Sequence, residues 1–373
     1  MTPPAAPTPD LVVVGAGIVG LAHAAEAVER GLRVTVLDRD EHAVGASVRN
    51  FGHVCTTAQS GEAHDLALVA RERWLRLSSL AGFEVSRAGT LVVARTAAEL
   101  GVLEELAASR GSSEVVLLTA DAVAAQLPGA PGVVGGAHLP LDLRLDPRAA
   151  LPALAAWLRA SGVELRWGTS VGAVHEGGVL TSSGEVAAPA VVVAVGHDLD
   201  RLLPGTAAEW DVRRCRLQML EVAPPGGRTI EPAVLTGTSM LRYGALAAQP
   251  SAHLVRREIE SRAPELLEVV MNLMLTQRPD GSIVLGDTHH YARTHQPFDD
   301  ERLADLLLRE GARLLGSPLT VRRRWRGVYA DSPQTDFLVA APYDGVRAVA
   351  VISGIGMTTA LGLAPVVLDG LLG

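Results

Sequence analysis

Lysine is absent from this chain: all 33 basic residues are arginine. No Schiff-base lysine, phosphate-loop lysine or lysine general base can exist here. Codon bias in a GC-rich genome is the simplest account of the pattern, and the chemical exclusion holds whatever its origin. Cysteine is scarce too. Cys55 and Cys215 have neither CxxC nor metal-ligand spacing, which excludes a disulfide scaffold and fits a reduced, cytoplasmic protein. Aromatic residues make up only 3%. No stretch reaches about 18 uninterrupted apolar residues, and the opening MTPPAAPTPD has no basic region, so neither a membrane span nor an export signal is expected. A basic excess is missing as well. The net charge of −8 gives no general affinity for nucleic acid or anionic lipid.

What is present is glycine and short apolar runs. The 373 residues are 48% hydrophobic, with 38 glycines, which suggests about two domains and a large core. After a Pro-rich lead-in at residues 1–9, expected to be disordered, Leu11-Val12-Val13-Val14 reads as a strand buried on both faces. Residues 18–30 read as a helix stopped by Gly31, and 33–37 as a second strand. Helices are predicted over 62–80, 97–110, 147–160 and 299–315. Strands are predicted at 91–94, in short pieces across 163–186, at 190–195 and at 346–352. Residues 212–223, 253–257 and 282–287 read as strands of a second sheet. Buried strands near both ends and in the middle imply a sheet built from distant segments, with other material inserted between them.

Gly15-Ala16-Gly17-Ile18-Val19-Gly20 is GxGxxG between a strand and a helix, and Asp38 comes 23 residues after Gly15. Gly15 permits the tight turn, Gly17 lets the backbone approach a pyrophosphate, and Gly20 lets helix and strand pack closely. The helix N-terminus then offers free N–H groups to phosphates. A carboxylate at Asp38 accepts hydrogen bonds from ribose hydroxyls. This context makes a dinucleotide site the reading of the motif without choosing between NAD and FAD.

From Leu11 to Leu372 the chain resembles the FAD-dependent oxidoreductases of the D-amino-acid oxidase, glycine oxidase and sarcosine oxidase superfamily. Four stretches carry the resemblance: GxGxxG with Asp38, GASVRNFGH (45–53), AVVVAVGH (190–197) and SGIGMTTALGLAP (353–365). It implies an α/β fold with a discontinuous, Rossmann-like GR2-type FAD-binding domain (10–82, 140–210 and 320–373). A mixed-sheet substrate domain (83–139 and 211–319) would be inserted into it. The motif and the resemblance together nominate as FAD contacts Gly15, Ala16, Gly17, Ile18, Val19, Gly20, Asp38 and Arg39. They add Ser47, Arg49, Asn50, Gly52 and His53, then Val171 and Gly196, then Gly354, Gly356, Met357, Thr358 and Thr359. SVRNFGHV, GDTHHY (286–291) and WRGVYADSP (325–333) are similar to a subgroup associated with organophosphonate metabolism.

Departures from the superfamily speak too. Positions 325–335 hold no cysteine, and Arg49 stands where dimethylglycine-type dehydrogenases tether flavin through His, so the FAD is expected to be non-covalent. The lysine that activates oxygen in sarcosine oxidases has no counterpart, so O2 or another electron acceptor remains open.

The chemistry that the resemblance implies is oxidation of a small anionic amine to an imine, which water hydrolyses to a carbonyl compound. Aminoalkylphosphonates, N-methylated amines and glycine- or sarcosine-like amino acids are the candidate substrates. Such a site needs an anion anchor, and arginine's fork matches carboxylate or phosphonate oxygens. Arg242 with Tyr243 is the first candidate, against an exposed strand arginine. Arg326 is the second, against membership of the solvated basic run 322–326. His53, His289 and His290 are candidates facing flavin or substrate, against structural hydrogen bonds and loop histidines. No HxH or HExxH pattern supports a metal. Two alternatives stay open: a 2-hydroxy-acid dehydrogenase with a histidine base, and a flavoprotein subunit of a heteromeric electron-transfer complex.

Overall fold

The computed structural model describes residues 8–373, so most of the lead-in assigned to 1–9 lies outside the described residues. A six-stranded sheet runs in the order Phe337–Ala340, Val346–Val351, Ala190–Val193, Leu11–Val14, Val34–Leu37, Glu164–Arg166. All its pairs are parallel except Phe337–Ala340 with Val346–Val351. Its two central strands, Leu11–Val14 and Ala190–Val193, are apolar throughout because both faces are covered. Helices Ile18–Glu29, Gly61–Ala81, Pro147–Ala160 and Gly356–Leu372 contribute to one core. The small sheet Val171–His175, Gly178–Thr181, Gly184–Ala187 contributes to another. Trp74 is fully buried and its indole N–H donates to the Met357 carbonyl at 2.7 Å, tying Gly61–Ala81 to the last helix. Truncating such a residue costs about 3–5 kcal/mol.

The second sheet has eight strands: Val321–Asp331, Arg213–Val222, Ile283–Ala292, Met274–Gln277, Ala233–Leu235, Thr90–Ala94, Gly135–Leu139, Val116–Thr119. Its outer face packs on amphipathic helices. Glu301–Leu315 is one, capped by Asp300, which accepts the Arg302 N–H, and ended by Gly316 in the left-handed region. Arg213–Val222 is paired along its length on both sides.

Two expectations change. Residues 253–257 belong to the helix Ala252–Arg262, because Ala252, Val255 and Ile259 bury one helical face at spacings of three and four. Strand Val321–Asp331, grouped by sequence with the nucleotide segment 320–373, hydrogen-bonds along Arg213–Val222 and so lies in the eight-stranded sheet.

Candidate functional site

A cavity of about 520 Å³ is lined by the glycine turn, both sheets and the start of the last helix. One end is contiguous in sequence. Gly15 has φ +103°, and a Cβ there would meet the Ala194 carbonyl oxygen at 2.5 Å; a Cβ on Gly20 would lie 1.8 Å from the Gly15 oxygen. Strand, turn and helix therefore close up as the motif requires. Asp38 ends the second strand's run. Its carboxylate accepts the Ala16 N–H at 2.7 Å and the Asp40 N–H at 2.9 Å. Burial raises its pKa, against the pull of those two donors. Arg39, also on the wall, pairs with Asp198 at 2.7 Å.

The segment 45–53 is held by its own polar groups. Ser47 Oγ accepts the Ile18 N–H at 2.9 Å. Asn50 donates to the Ala46 and Ser47 carbonyls and accepts the Gly52 N–H at 2.7 Å. Gly17, Ile18, Val19, Ser47, Arg49, Asn50, Val171 and Gly196 line the cavity, as do Gly354, Gly356, Met357 and Thr358. Ala16, Gly20, Gly52 and Thr359 do not. Ala16 serves the turn through its N–H to Asp38, Gly20 its packing. Gly52 faces the Leu145 carbonyl, and the Thr359 hydroxyl donates to the Ile355 carbonyl.

His53 lines the cavity but is buried, with Nε2 at 2.7 Å from the Thr90 hydroxyl and 3.3 Å from Asp142. Asp142, fully buried, also accepts the Thr56 and Thr57 N–H groups. His53, Cys55 and Asp142 bring one ligand atom each within 4.8 Å of one another, yet the carboxylate is spent on these donors. The trio fixes the segment 53–57 against strand Thr90–Ala94.

The far end is assembled from distant segments. Arg242 comes just after the short helix Gly237–Met240, whose N-cap Thr236 makes a capping box with Ser239. The Thr236 and Ser239 hydroxyls both donate to the Leu273 carbonyl, which fastens that turn to the sheet. One terminal nitrogen of Arg242 donates to the Tyr329 hydroxyl at 3.1 Å and to the Ser353 carbonyl at 3.0 Å; Nε points at His289 Nε2, 3.4 Å away. Among the described residues no carboxylate lies within 4.0 Å of this guanidinium, although Asp287 lines the same cavity.

His289 stands between the two. Its Nε2 is 3.9 Å from Asp287 Oδ2, and its Nδ1 is 2.8 Å from the Val270 carbonyl. Burial and the neighbouring Arg242 push its pKa down to about 3, so the ring is neutral, with Nδ1–H donating to Val270. Asp287 is 3% exposed. Burial raises its pKa to about 7, opposed by Arg242 and the Asn272 amide. Tyr243 and Asn272 complete this wall.

Two nominated residues lie elsewhere. Arg326 bonds Asp299 at 2.5 Å and holds the 296–299 loop, because its side chain leaves the opposite side of the strand from Tyr329. His290 is exposed and pairs with His295 at 3.2 Å. Asp287, Asn272 and Tyr329 were not nominated from sequence. The signal was strand alternation: Asp287 and His289 share one face of Ile283–Ala292, and Gly327 and Tyr329 one face of Val321–Asp331.

Fold and cavity define an α/β protein with a nucleotide-type glycine turn opening on a cavity whose far wall belongs to a second sheet. The chain belongs to the family described as FAD dependent oxidoreductase (DAO), which matches residues 10–369. A curated relative, the bifunctional protein ThiO/ThiG of Nostoc sp., is 30% identical over 232 residues, covering 58% of this chain and 35% of that protein. The chain thus spans about a third of the length of the curated relatives it matches. Among solved structures, the L-proline dehydrogenase of P. horikoshii superposes with a TM-score of 0.80 at 20% identity, covering 97% of this chain and 92% of that one. The glycine oxidase of Bacillus cereus gives 0.79 at 17%, covering 98% and 95%. At these identities the likeness is one of fold. No helix among the described residues is long and apolar enough to cross a membrane.

The cavity suits the family's cofactor. A Cβ on Gly17 would meet only the Ser47 hydroxyl, at 3.1 Å, which leaves backbone room for a phosphate. At the start of helix Ile18–Glu29 Gly17 supplies no side-chain cap, the Ile18 N–H goes to the neutral Ser47 hydroxyl, and the first turn holds no acid, so no negative side chain of that turn opposes an anion there.

Proposed function

We propose that this chain oxidises a small amine carrying a carboxylate or phosphonate, using non-covalent FAD and passing electrons to oxygen. Asp38, Arg39, Val171 and Gly196 would hold the adenosine half. The glycine turn, Ser47 and the helix start at Ile18 would hold the pyrophosphate, and residues 354–358 the flavin end. When bound, FAD supplies the hydride acceptor. This chain's residues bind, orient and shield the amine.

The observation that carries the reading is Arg242: a guanidinium on the cavity wall, fixed by Tyr329 and Ser353, with no carboxylate of the described residues within 4.0 Å. A charged fork left without an internal anion suits one brought by the substrate. Tyr243 borders the same space. Glycine- and sarcosine-like amino acids and aminoalkylphosphonates all supply the required anion next to an amine. The 2-hydroxy-acid alternative needs a histidine base. His289 is a weak one, held neutral with Nε2 turned to Arg242, and His53 is occupied by Thr90 and Asp142.

The test is a substrate panel monitored anaerobically by loss of flavin absorbance near about 450 nm, which reports reduction whatever the acceptor. Peroxide formed by the purified chain alone would establish oxygen as acceptor; reduction without peroxide would move the acceptor to a partner. Reduction by hydroxy acids and by no amine would overturn the reading.

A further inference from the structure

Amine oxidation as proposed above, the reading on which this inference rests, uses one pole of the cavity and leaves the other idle. Opposite the cation of Arg242 stands Asp287, whose Oδ1 has no hydrogen-bond partner; the Oδ1 of Asn272 has none either. Asp287 is 3% and Asn272 4% exposed, and both line the cavity. Their backbones lock them together. The Asn272 N–H donates to the Asp287 carbonyl at 2.8 Å, and the Asp287 N–H to the Asn272 carbonyl at 2.7 Å. Two buried acceptor oxygens without donors, on residues that line one wall of the cavity, form a place prepared for N–H groups.

The spacing of charges adds direction. A carboxylate and a guanidinium in one buried cavity would ordinarily pair. Here the neutral imidazole of His289 sits between them, 3.4 Å from Arg242 and 3.9 Å from Asp287, and itself hangs from the Val270 carbonyl. The two poles are held apart with no ion pair between them, although the Arg242 charge still pulls against the burial of Asp287.

We propose that Asp287 and Asn272 form an ammonium subsite that receives the substrate's cationic nitrogen while Arg242 receives its anion, so that the cavity selects zwitterions over simple anions. His289 is a positioning residue that keeps the poles separate. The carboxylate's partly protonated state near neutrality lets it give up its charge when the cavity is empty and regain it when an ammonium arrives. A substrate lacking the nitrogen would leave Asp287 unpaired opposite an occupied Arg242.

The test uses the FAD-loaded protein, kept anaerobic, and two matched pairs of probes: acetate with glycine, and ethylphosphonate with 2-aminoethylphosphonate. Binding is read by calorimetry and by flavin spectral perturbation. In at least one pair the parent should bind the nitrogen-bearing member more tightly by roughly tenfold or more. Asp287→Asn, which is isosteric and keeps both backbone bonds to Asn272, should erase that preference while anion binding holds within about threefold. Asn272→Ala should weaken the preference in the same sense, a second variant should the first misfold. Arg242→Leu should lose both members.

No preference in the parent, or an undiminished preference in a folded Asp287→Asn, would overturn the subsite. Failure of the oxidation reading is separate. If zwitterion preference depends on Asp287 but no amine ever reduces the flavin, the subsite stands and the reaction does not. If amines reduce the flavin but the preference ignores Asp287, the reverse holds.

Discussion

Two of the carboxylates that border the cavity, Asp38 and Asp287, live under opposite rules. Asp38 follows a strand of the six-stranded sheet and is engaged by two backbone N–H groups, that of Asp40 in its own turn and that of Ala16 in the glycine turn. Asp287 lies in a strand of the eight-stranded sheet, more deeply buried, with one oxygen left bare. Asp38 is part of the scaffold even when nothing is bound, since it holds the Ala16 turn. Asp287 is a cost to the empty fold. Burying an unmatched carboxylate disfavours its charge, and its ionisation is displaced toward about 7 accordingly. A polar group that the fold already satisfies supports structure. One that the fold leaves wanting marks where a ligand completes the protein.

The largest expected effect falls on the substrate end. Arg242→Leu should lower kcat/KM by about 2–4 kcal/mol, mostly through KM, with FAD content unchanged. Steady-state kinetics alongside a flavin-to-protein absorbance ratio would check it. Retained activity would mean that the substrate carries no anion at this place.

On the scaffold side, Asp38→Ala should weaken FAD retention by at least about tenfold. It would remove the acceptors proposed for ribose hydroxyls, worth about 1.5–3 kcal/mol each, and also removes the partner of the Ala16 N–H. Flavin remaining after dialysis gives the answer.

Asp287→Asn should sharpen the contrast by making the empty protein more stable. The native carboxyl keeps its proton between about pH 4 and about 7, where the unfolded chain has already lost it. The penalty therefore grows as pH rises through this window and is complete above it. Arg242, His289, Asn272, Tyr243 and Cys215 surround the group, and Arg242 and the Asn272 amide partly offset the penalty. At pH 8 the variant should gain about 1–3 kcal/mol, and near pH 4 nothing measurable, by denaturant melts of the flavin-free protein. A gain of the same size at both pH values would remove the electrostatic explanation.

The smallest effect belongs to Arg326→Leu. Its partner Asp299 is 43% exposed, so the pair contributes about 0–1 kcal/mol to stability, and catalysis should not change. His290→Ala should be equally silent in turnover assays.

The nucleotide end is legible in the sequence because its parts are neighbours there. Gly15 to Gly20 and Asp38 specify turn, helix start and strand end within one crossover unit. Arg242 is readable as an isolated cation beside small residues. The other half of the site is only partly readable. Alternation alone separates His289 from His290, and Tyr329 from Arg326. What alternation cannot supply is which face looks into the cavity. That depends on Ile283–Ala292 and Val321–Asp331 flanking Arg213–Val222, pairings between residues tens of positions apart. Asp287 escapes a reading of the sequence for the same reason: one acid in the middle of a strand acquires meaning only from the Asn272 and Arg242 near it.

Gly354 rests against Tyr329 so closely that a Cβ there would sit 2.9 Å from the ring. The Tyr329 hydroxyl in turn receives Arg242. The turn that opens the last helix and the proposed seat for the substrate's anion are therefore joined through one tyrosine. A side chain gained at position 354 would swing the tyrosine and drag the guanidinium with it. On the reading proposed above, a substitution at position 354 should alter flavin environment and substrate preference together.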